Sequence, residues 1–344
     1  MTRRQPQPAA RQPAIGSRRG PASPPPRVKR GSDLDSTDFQ IVDLLVNDGR
    51  LSNRAIAAAT NLTEATVASR LKNLIQNDLL GVTCLIDWKT AGYQIDMWIC
   101  ANVNSRPLRL ILWDLGQIES VRSAHTVFGR YDLIIHALLE DENDARTFIA
   151  ERLASLRGLA EITSAISLEV FKFNSHNNQL PAASAPLTLP APAVDVDVLD
   201  RQMITALGSD GRQSNREIAR QLQVSEGTVR VRLGRLEAEG LIRISGQSDS
   251  FKMVVDRTMA YLGVRVERGF LVKVCERLSE LTDVHMVVMT AGQFDIIVSV
   301  SAASRKRLVE LIVDDIRSIA GILSTETWEV VDSVTRMNQY TRLL

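Results

Sequence analysis

The chain has 344 residues, 44% of them hydrophobic and 24% charged, which is typical of a soluble globular protein. This length predicts about two domains. No apolar run approaches the roughly 18 to 20 residues of a membrane span, and the arginine-rich start lacks the apolar stretch of a secretory signal. We therefore predict a protein without membrane segments. The formal net charge of +1 is unevenly distributed along the chain.

Residues 1–33 form a basic, proline-rich tail. Eight arginines and lysines precede the first acidic residue, Asp33, so residues 1–32 carry +8 and the rest of the chain carries 1 − 8 = −7. A segment of this composition cannot bury a core, and we predict that it is disordered. It serves either as an arm that follows the phosphates of DNA or as a solubilising extension.

The remaining chain contains one unit twice. Residues 48–54 are Asp-Gly-Arg-Leu-Ser-Asn-Arg, and residues 210–216, at an offset of 162, are Asp-Gly-Arg-Gln-Ser-Asn-Arg. Phe-Gly-Arg-Tyr-Asp at 128–132 likewise corresponds to Ala-Gly-Gln-Phe-Asp at 291–295. Identical residues that recur at a nearly constant offset identify a duplicated unit of about 150 residues. A linker at 173–194, without formal charge and rich in proline and alanine, separates the copies and favours extended conformations.

Each copy begins with short amphipathic helices, three in residues 34–81 and three in residues 195–244. In the first copy, Gly49 is positioned to act as a left-handed C-cap of the first helix. Ser52 and Thr63 are positioned as N-caps of the second and third helices. The equivalent capping positions in the second copy are Ser214, Ser225 and, closing the third helix, Gly240.

A tight turn before a third helix is the geometry that places this recognition helix in the major groove of double-stranded DNA. We predict DNA contacts from its cap and exposed face, and we expect the intact Asp-Gly-Arg-x-Ser segment to favour this function. In the first copy the candidates are Thr63, Ala65, Thr66, Ser69, Arg70, Lys72 and Asn73. In the second copy they are Ser225, Gly227, Thr228, Arg230, Arg232 and Arg235. The recognition helix of the second copy carries three arginines and is expected to bind DNA more strongly than that of the first copy. Alternatively, one or both helix-turn-helix units serve only as interaction modules.

Residues 95–172 and 257–335 alternate between strand and helix patterns. Each follows the order βαββαβ, which predicts a ferredoxin-like domain with helices on one sheet face. The predicted fold class is therefore α+β, a tandem duplication of a three-helix (winged) helix-turn-helix domain followed by a ferredoxin-like sensing domain. Because the other sheet face needs covering, we expect the two domains to pair sheet to sheet.

These motifs, in this order, resemble the leucine-responsive/asparagine (Lrp/AsnC) family of transcription regulators, over residues 37–172 and 196–335. The resemblance implies a sensing domain that dimerises and binds a small effector, such as an amino acid, at subunit contacts. The family's glycine turn maps onto Gly129, Arg130, Tyr131 and Asp132, and in the second copy onto Gly292, Gln293, Phe294 and Asp295. Exposed amides in such a turn can hold a carboxylate, but a plain hairpin connection is equally consistent. Two unlike copies predict an intramolecular pseudo-dimer, further homo-oligomers and effector sites that need not bind one molecule.

Two other functions remain open from the sequence. Similar two-domain folds include tetrapyrrole (siroheme-type) decarboxylases, and His125 and His136 lie on neighbouring predicted strands. The chain could also be a DNA-silent partner of other family members. No catalytic constellation is visible, the three cysteines lack CxxC spacing and the four histidines form no metal-binding pair, so we predict no enzyme activity, no cofactor and no metal. The cysteines fit a reducing cytoplasm, which is the predicted location.

Overall fold

The computed structural model describes residues 34–77, 79–173, 189–248, 258–335 and 340–343. The basic tail and most of the proline-rich linker, together with residues 249–257, lie outside the described residues. The predictions made for the tail therefore concern a part of the chain that the structure does not describe.

The first unit begins with three helices and a strand, followed by an alternating domain. Its elements are α1 (Ser36–Asn47), α2 (Asn53–Thr60), α3 (Glu64–Gln76), β1 (Leu80–Asp87), β2 (Ile95–Val103), α4 (Leu108–Leu115), β3 (Val121–Phe128), β4 (Leu133–Leu139), α5 (Glu142–Thr147) and β5 (Leu159–Phe173). Helix α5 continues as a π-helical segment over Phe148–Leu153.

The second unit repeats this order and adds a short final strand. Its elements are α6 (Val198–Ser209), α7 (Asn215–Leu222), α8 (Glu226–Ala238), β6 (Ile242–Ser248), β7 (Thr258–Val266), α9 (Leu271–Glu280), β8 (Val284–Ala291), β9 (Ile296–Ala302), α10 (Arg305–Glu310), β10 (Ile322–Thr335) and β11 (Tyr340–Thr341). A π-helical segment over Leu311–Ile316 follows α10. The predicted α+β fold with two helix-turn-helix units is confirmed.

The two sensing domains form one closed barrel of eight strands, in the order β10-β3-β4-β2-β5-β8-β9-β7. Strand β5 of the first half pairs with β8 of the second, and β10 of the second half pairs with β3 of the first. The interior is filled by side chains of both halves, among them Tyr131 and Trp328, which are almost fully buried. The halves thus cover each other's inner sheet faces as expected, and they are also joined edge to edge by backbone hydrogen bonds.

The two helix-turn-helix units are joined by strands that the sequence patterns did not predict. Strands β1 and β6 pair antiparallel from Leu80 opposite Ser248 to Ile86 opposite Ile242. Strand β11 adds to the other edge of β1 in parallel, with Tyr340 opposite Ile86. Strand β11, which follows the barrel strand β10 in the sequence, therefore belongs to the sheet between the helix-turn-helix units.

The expectation that Gly49 is a left-handed C-cap is wrong. Helix α1 ends at Asn47 with Asp48 as an extended C-cap, and Gly49 is absent from the described residues with positive φ. Its backbone N–H donates to the carbonyl of Ile244, and a Cβ at Gly49 would lie 2.8 Å from the backbone nitrogen of Ser245. The glycine is therefore explained by close approach of strand β6 rather than by helix termination.

None of the helices in the described part of the chain combines the length and apolarity that crossing a bilayer requires.

Candidate DNA-binding and effector sites

The N-termini of the two recognition helices have the same local structure. The Thr63 hydroxyl accepts a hydrogen bond from the backbone N–H of Thr66 at 3.2 Å and also contacts the Thr66 hydroxyl at 2.8 Å. Ser225 and Thr228 repeat both contacts at 3.0 and 2.8 Å. These bonds confirm the predicted caps of α3 and α8, and both cap residues are exposed. Each helix therefore presents a capped and accessible N-terminus.

The exposed faces of the two recognition helices differ in chemistry. On α3 the exposed candidates are small or polar, namely Ala65, Ser69, Lys72 and Asn73. On α8, Arg230 is exposed, and the neighbouring Val231 has 72% of its surface accessible. Gly227 and Thr228 are half-buried beside them. The duplicated unit thus offers two unlike surfaces to a partner.

Arg70 and Arg232 occupy equivalent positions and form equivalent ion pairs inside their own units. Arg70 lies 2.8 and 2.9 Å from carboxylate oxygens of Asp35 and Asp38 at the start of α1. The hydrogen bond from the Asp38 amide, and next the one from Arg70, hold the pKa of Asp35 below its usual value. Arg232 lies 2.5 and 3.0 Å from the corresponding Asp197 and Asp200. Both arginines therefore attach the recognition helix to the first helix.

Arg235 is also engaged within the second unit. It lies 2.7 Å from a carboxylate oxygen of the almost fully buried Asp200 and 3.1 Å from one of Glu239. It donates as well to the backbone carbonyl of Asp195 at 2.7 Å. Among the described residues, Arg230 is thus the one arginine of α8 that makes no hydrogen bond or ion pair.

The duplicated Asp-Gly-Arg segments lie between the two helix-turn-helix units. Arg50 donates to the backbone carbonyl of Gln213 at 2.8 Å. Arg212 donates to the carbonyl of Leu51 at 3.0 Å and to the side-chain oxygen of Asn53 at 2.9 Å. The arginines of the Asp-Gly-Arg-x-Ser segments thus hold the second unit against the first, and the expectation that these segments favour DNA binding stays a prediction.

The glycine turns contain two aspartates whose carboxylates bind backbone. Asp132 accepts from the N–H of Val103 at 2.8 Å, and Asp295 accepts from the N–H of Val266 at 2.8 Å. Each aspartate thereby holds its turn to the end of a neighbouring strand. This role explains the residue type without requiring a ligand.

The two glycine turns also contact each other's half of the chain. The Tyr131 hydroxyl donates to the side-chain oxygen of Gln293 at 2.5 Å. A Cβ at Gly129, which has a φ of 154°, would lie 2.7 Å from the ring of Trp328. A Cβ at Gly292 would lie 2.6 Å from the side chain of Ala165. Both glycines therefore permit the close approach of the opposite half.

Only some residues of each glycine turn are exposed to solvent. Gly129, Arg130 and Gly292 are exposed, whereas the aromatic side chains of Tyr131 and Phe294 are buried. Among the described residues, the carboxylate nearest to Arg130 is that of Glu326, at 3.9 Å. The accessible surface at the turns thus consists of backbone and, in the first turn, of the side chains of Arg130 and of Phe128, which has 66% of its surface accessible.

The histidines considered for an enzyme are buried and bonded within the protein. The Nε2 of His125 lies 3.0 Å from the Tyr261 hydroxyl, and burial, with a smaller contribution from His136, lowers the pKa of His125 to about 3. His136 lies 2.7 Å from Asp96 and stacks on Trp98 with ring centres 4.4 Å apart. Both imidazoles have less than a tenth of their surface accessible.

Two open clefts border the segment that joins β1 to β2. One measures 580 Å³ and includes Arg122; the other measures 690 Å³ and includes Asp96. Tyr93 lines both clefts. Arg122 was not among the residues predicted from the sequence, because β3 also contains Ser123, His125 and Thr126 and the arginine therefore does not stand out by its pattern. No group of residues suited to a metal ion is present in the described ranges.

The first half of the chain is similar to known transcription regulators. Residues 34–75 match the AsnC-type helix-turn-helix domain, and residues 102–176 match the Lrp/AsnC ligand binding domain. An uncharacterized HTH-type transcriptional regulator of Pyrococcus furiosus is 38% identical over 133 residues, which cover 89% of that protein and 38% of this chain. The chain belongs to the Lrp/AsnC family.

The second half of this Lrp/AsnC protein has matches of its own. Residues 196–243 match a winged helix-turn-helix DNA-binding domain, and residues 257–342 match a C-terminal dimeric alpha+beta barrel domain. A second uncharacterized HTH-type regulator, from Pyrococcus horikoshii, is 34% identical over 135 residues, or 85% of its length and 39% of this chain. These relatives each correspond to one unit, whereas this Lrp/AsnC chain contains two.

A solved structure resembles nearly the whole of this Lrp/AsnC chain. The siroheme decarboxylase NirDL superposes with a TM-score of 0.60, over 88% of this chain and 93% of that one, at 12% sequence identity. At this identity the likeness concerns the fold.

Proposed function

We propose that this chain regulates transcription by binding double-stranded DNA with both recognition helices at once, and that a small effector modulates the binding. The observation that carries the proposal is the pairing of β1 with β6. This pairing joins the helix-turn-helix units of one chain about a local two-fold axis. Proteins with two such units bind two half-sites whose relation follows the symmetry of the protein.

The exposed N-termini of α3 and α8 support contact with DNA. The first turn of a recognition helix is the part that enters the major groove, and free backbone N–H groups there favour phosphate. Both termini carry a small hydroxyl cap that leaves room for close approach. The surroundings of α3 and α8 therefore suit a DNA-binding role better than that of a DNA-silent partner.

The unlike surfaces of the two helices support an operator with unlike half-sites. Arg230 and Val231 of α8 replace Ala68 and Ser69 at the equivalent positions of α3. Arginine pairs with the acceptor edge of guanine, and an apolar side chain contacts the methyl group of thymine. We propose that α8 specifies the stronger half-site and that α3, with Lys72, adds a weaker one.

The glycine turns are the proposed effector site, and the effector is an amino acid or a related small metabolite. Exposed backbone at Gly129 and Gly292 supplies N–H donors for a carboxylate. Arg130 adds a cation to the first turn, and Gln293 takes the equivalent place in the second. This difference supports different affinities at the two turns.

Equivalent exposed apolar side chains support assembly beyond the single chain. Leu168 on β5 and Val331 on β10 occupy matching positions and have 62% and 53% of their surface accessible. We propose that a second copy of the chain covers them. Light scattering of the native chain and of a Leu168→Asp/Val331→Asp variant tests this, and an unchanged mass would contradict it.

Genome-wide footprinting, followed by titration of a recovered operator, tests the DNA-binding proposal. We expect the natural site to bind more tightly than a palindrome made from its weaker half, and footprints to change when the effector is added. Three synthetic duplexes are needed: the natural site and the palindromes of the left and right halves. Absence of a sequence-specific shift on any fragment would overturn the proposal.

The proposal excludes an enzymatic function, and a tetrapyrrole titration tests that part. His125 and His136 are bonded to Tyr261 and Asp96 inside a filled barrel. We therefore expect no Soret shift when an iron tetrapyrrole is added to the full chain. A saturable shift that disappears in a His136→Phe variant would support the decarboxylase alternative.

A further inference from the structure

The cleft of 580 Å³ lies at the opposite end of the β3–β4 hairpin from the first glycine turn. That turn joins the end of β3 to the start of β4, whereas the cleft is formed where β3 begins and β4 ends. Its lining includes Tyr93, Ser120, Arg122, Glu140, Asp144 and Arg152. The volume is within the range of small-molecule sites, roughly 300 to 1,000 Å³.

Arg122 is a buried cation in the floor of this cleft. Only 7% of its surface is accessible, and within the described residues no carboxylate lies within ion-pair distance of it. One guanidinium nitrogen donates to the Tyr93 hydroxyl at 2.7 Å, and the buried Nε has no hydrogen-bond partner in the part of the chain that the structure describes. Its Cζ lies 5.0 Å from the ring centre of Tyr93 and 4.3 Å from that of Tyr340. Two ring faces and one hydroxyl offset only part of the cost of burying a charge.

A β-bulge places Arg122 in this position. Val121 pairs with Ala137 and Ser123 pairs with His136, so Arg122 is the extra residue between two ladder pairs. Bulges redirect a side chain out of the regular alternation of a strand and are common beside functional sites. The equivalent residue of the second half is His285, which is bonded to Ser301. The chain therefore carries this arginine in one half and not in the other.

The rim of the cleft is acidic and exposed. Glu119 and Glu140 lie there, while Arg152 is paired with Asp144 at 3.1 Å and donates to Ser120 at 2.6 Å. Glu140 follows the end of β4, three residues beyond Ala137, the partner of Val121. Because a strand rises about 3.3 Å per residue, the backbone of Glu140 lies roughly 10 Å along the strand direction from Val121, where the bulge begins.

We propose that this cleft binds a zwitterionic small molecule with separated charges, such as an ω-amino acid or a dipeptide. Its carboxylate pairs with Arg122 in the floor, and its ammonium group lies against Glu140 at the rim. A simple anion would lose part of its attraction to Arg122 because it must pass the acidic rim. A simple amine would leave the buried guanidinium without a counter-charge.

The cleft is connected by direct contacts to the sheet that joins the helix-turn-helix units. Tyr340, which stacks on Arg122, belongs to β11, and β11 pairs with β1 in the sheet that joins the helix-turn-helix units. Binding at this cleft goes beyond the proposed effector turns and does not depend on them or on DNA binding.

Isothermal titration of the full chain in the absence of DNA tests the site. The probes are γ-aminobutyrate and glycylglycine as separated zwitterions, glycine as a compact one, and butyrate and butylamine as single charges. We expect a separated zwitterion to bind at least about tenfold more tightly than either single-charge probe. Equal affinities for the zwitterions and for butyrate, or no heat at about 10 mM of any probe, would overturn the proposal.

Three variants assign the binding to this cleft. Arg122→Gln and Glu140→Gln should each weaken zwitterion binding about tenfold or more, since each removes one charge-assisted contact. Arg109→Gln, which changes an exposed arginine outside the cleft lining, is the matched control and should leave binding unchanged. Glu140 is exposed, so its variant serves even if Arg122→Gln fails to fold. Binding that survives both cleft variants but is lost in Gln293→Ala would place the ligand at the glycine turns and overturn the inference.

Discussion

Thr83 of β1 and Ser245 of β6 lie directly opposite each other in the sheet that joins the two helix-turn-helix units. They are equivalent residues of the duplicated unit, so the local two-fold axis passes between them. The Thr83 hydroxyl donates to the carbonyl of Gly208 at 2.9 Å, and the Ser245 hydroxyl donates to that of Val46 at 2.7 Å. Each strand thus binds the end of the other unit's first helix.

Removing one of these hydroxyls should weaken the joint between the units. Thr83→Val keeps the size of the side chain but leaves the buried carbonyl of Gly208 without this donor, at a cost of about 1 to 3 kcal/mol. Urea unfolding measures the loss. Thr205→Val is the control, because the Thr205 hydroxyl bonds Arg201 on an exposed helix surface. Equal stability of the two variants would contradict the role given to Thr83.

Gly49→Ala should destabilise the same joint for a steric reason. Its new Cβ would lie 2.8 Å from the backbone nitrogen of Ser245, so strand β6 must shift, at a cost of about 1 to 3 kcal/mol. Gly234→Ala provides the contrast, because a Cβ there meets no atom within 4 Å. Within a helix that change should stabilise by up to about 1 kcal/mol. Thermal unfolding of both variants measures these effects, and a Gly49→Ala protein as stable as the unsubstituted chain would contradict the prediction.

Substitution of Arg230 should mainly lower DNA affinity, whereas substitution of Arg235 should mainly lower the free energy of unfolding. Arg230→Ala should lower affinity for the operator about tenfold and reduce the salt dependence by about one counterion, with little change in stability. Arg235→Ala should instead reduce stability by about 1 to 3 kcal/mol, because it removes one partner of the buried Asp200. Fluorescence anisotropy at several salt concentrations, paired with urea unfolding, measures both. The assignment fails if Arg235→Ala, while folded, loses as much DNA affinity as Arg230→Ala.

His125 should make the protein sensitive to mild acid. Its pKa is about 3 in the folded chain, below the ordinary 6.5, so the unfolded chain takes up a proton that the folded chain does not. Stability is therefore full above about pH 6.5 and falls by about 1.4 kcal/mol for each pH unit below it, until the folded pKa is reached. His125→Gln should remove this part of the slope between about pH 6 and 4.5. Parallel pH profiles of the free energy of unfolding for both proteins would refute the prediction.

Local signals predicted the helices and their caps. Ser52 accepts from the N–H of Ala55 and Ser214 from that of Glu217, as the spacing of a cap residue before an apolar stripe requires. The order of strands in each sensing domain was also predictable, because βαββαβ connections leave few arrangements. These features depend on residues close together in the sequence or on general rules of connection.

Features that depend on the other copy were not predictable in the same way. Strands β1 and β6 pair across 162 residues, and β1 is buried almost throughout, so it lacks the alternation of a half-exposed strand. The sequence showed Arg232 beside the apolar stripe of α8 but not that Asp197 and Asp200 would face it. Arg122 was missed because a bulge, which no pattern announced, sets its direction.

The barrel closes within one polypeptide, and this has a consequence for how the protein behaves on dilution. In a regulator made of separate subunits, pairing is a bimolecular equilibrium, so its extent falls with concentration. Here β5–β8 and β10–β3 connect parts of the same chain, and the effective concentration of each half for the other is fixed by the linker. A cell with a few copies has the same fraction of paired units as one with many. The closed barrel also leaves neither half an open sheet edge with which to exchange for a related subunit.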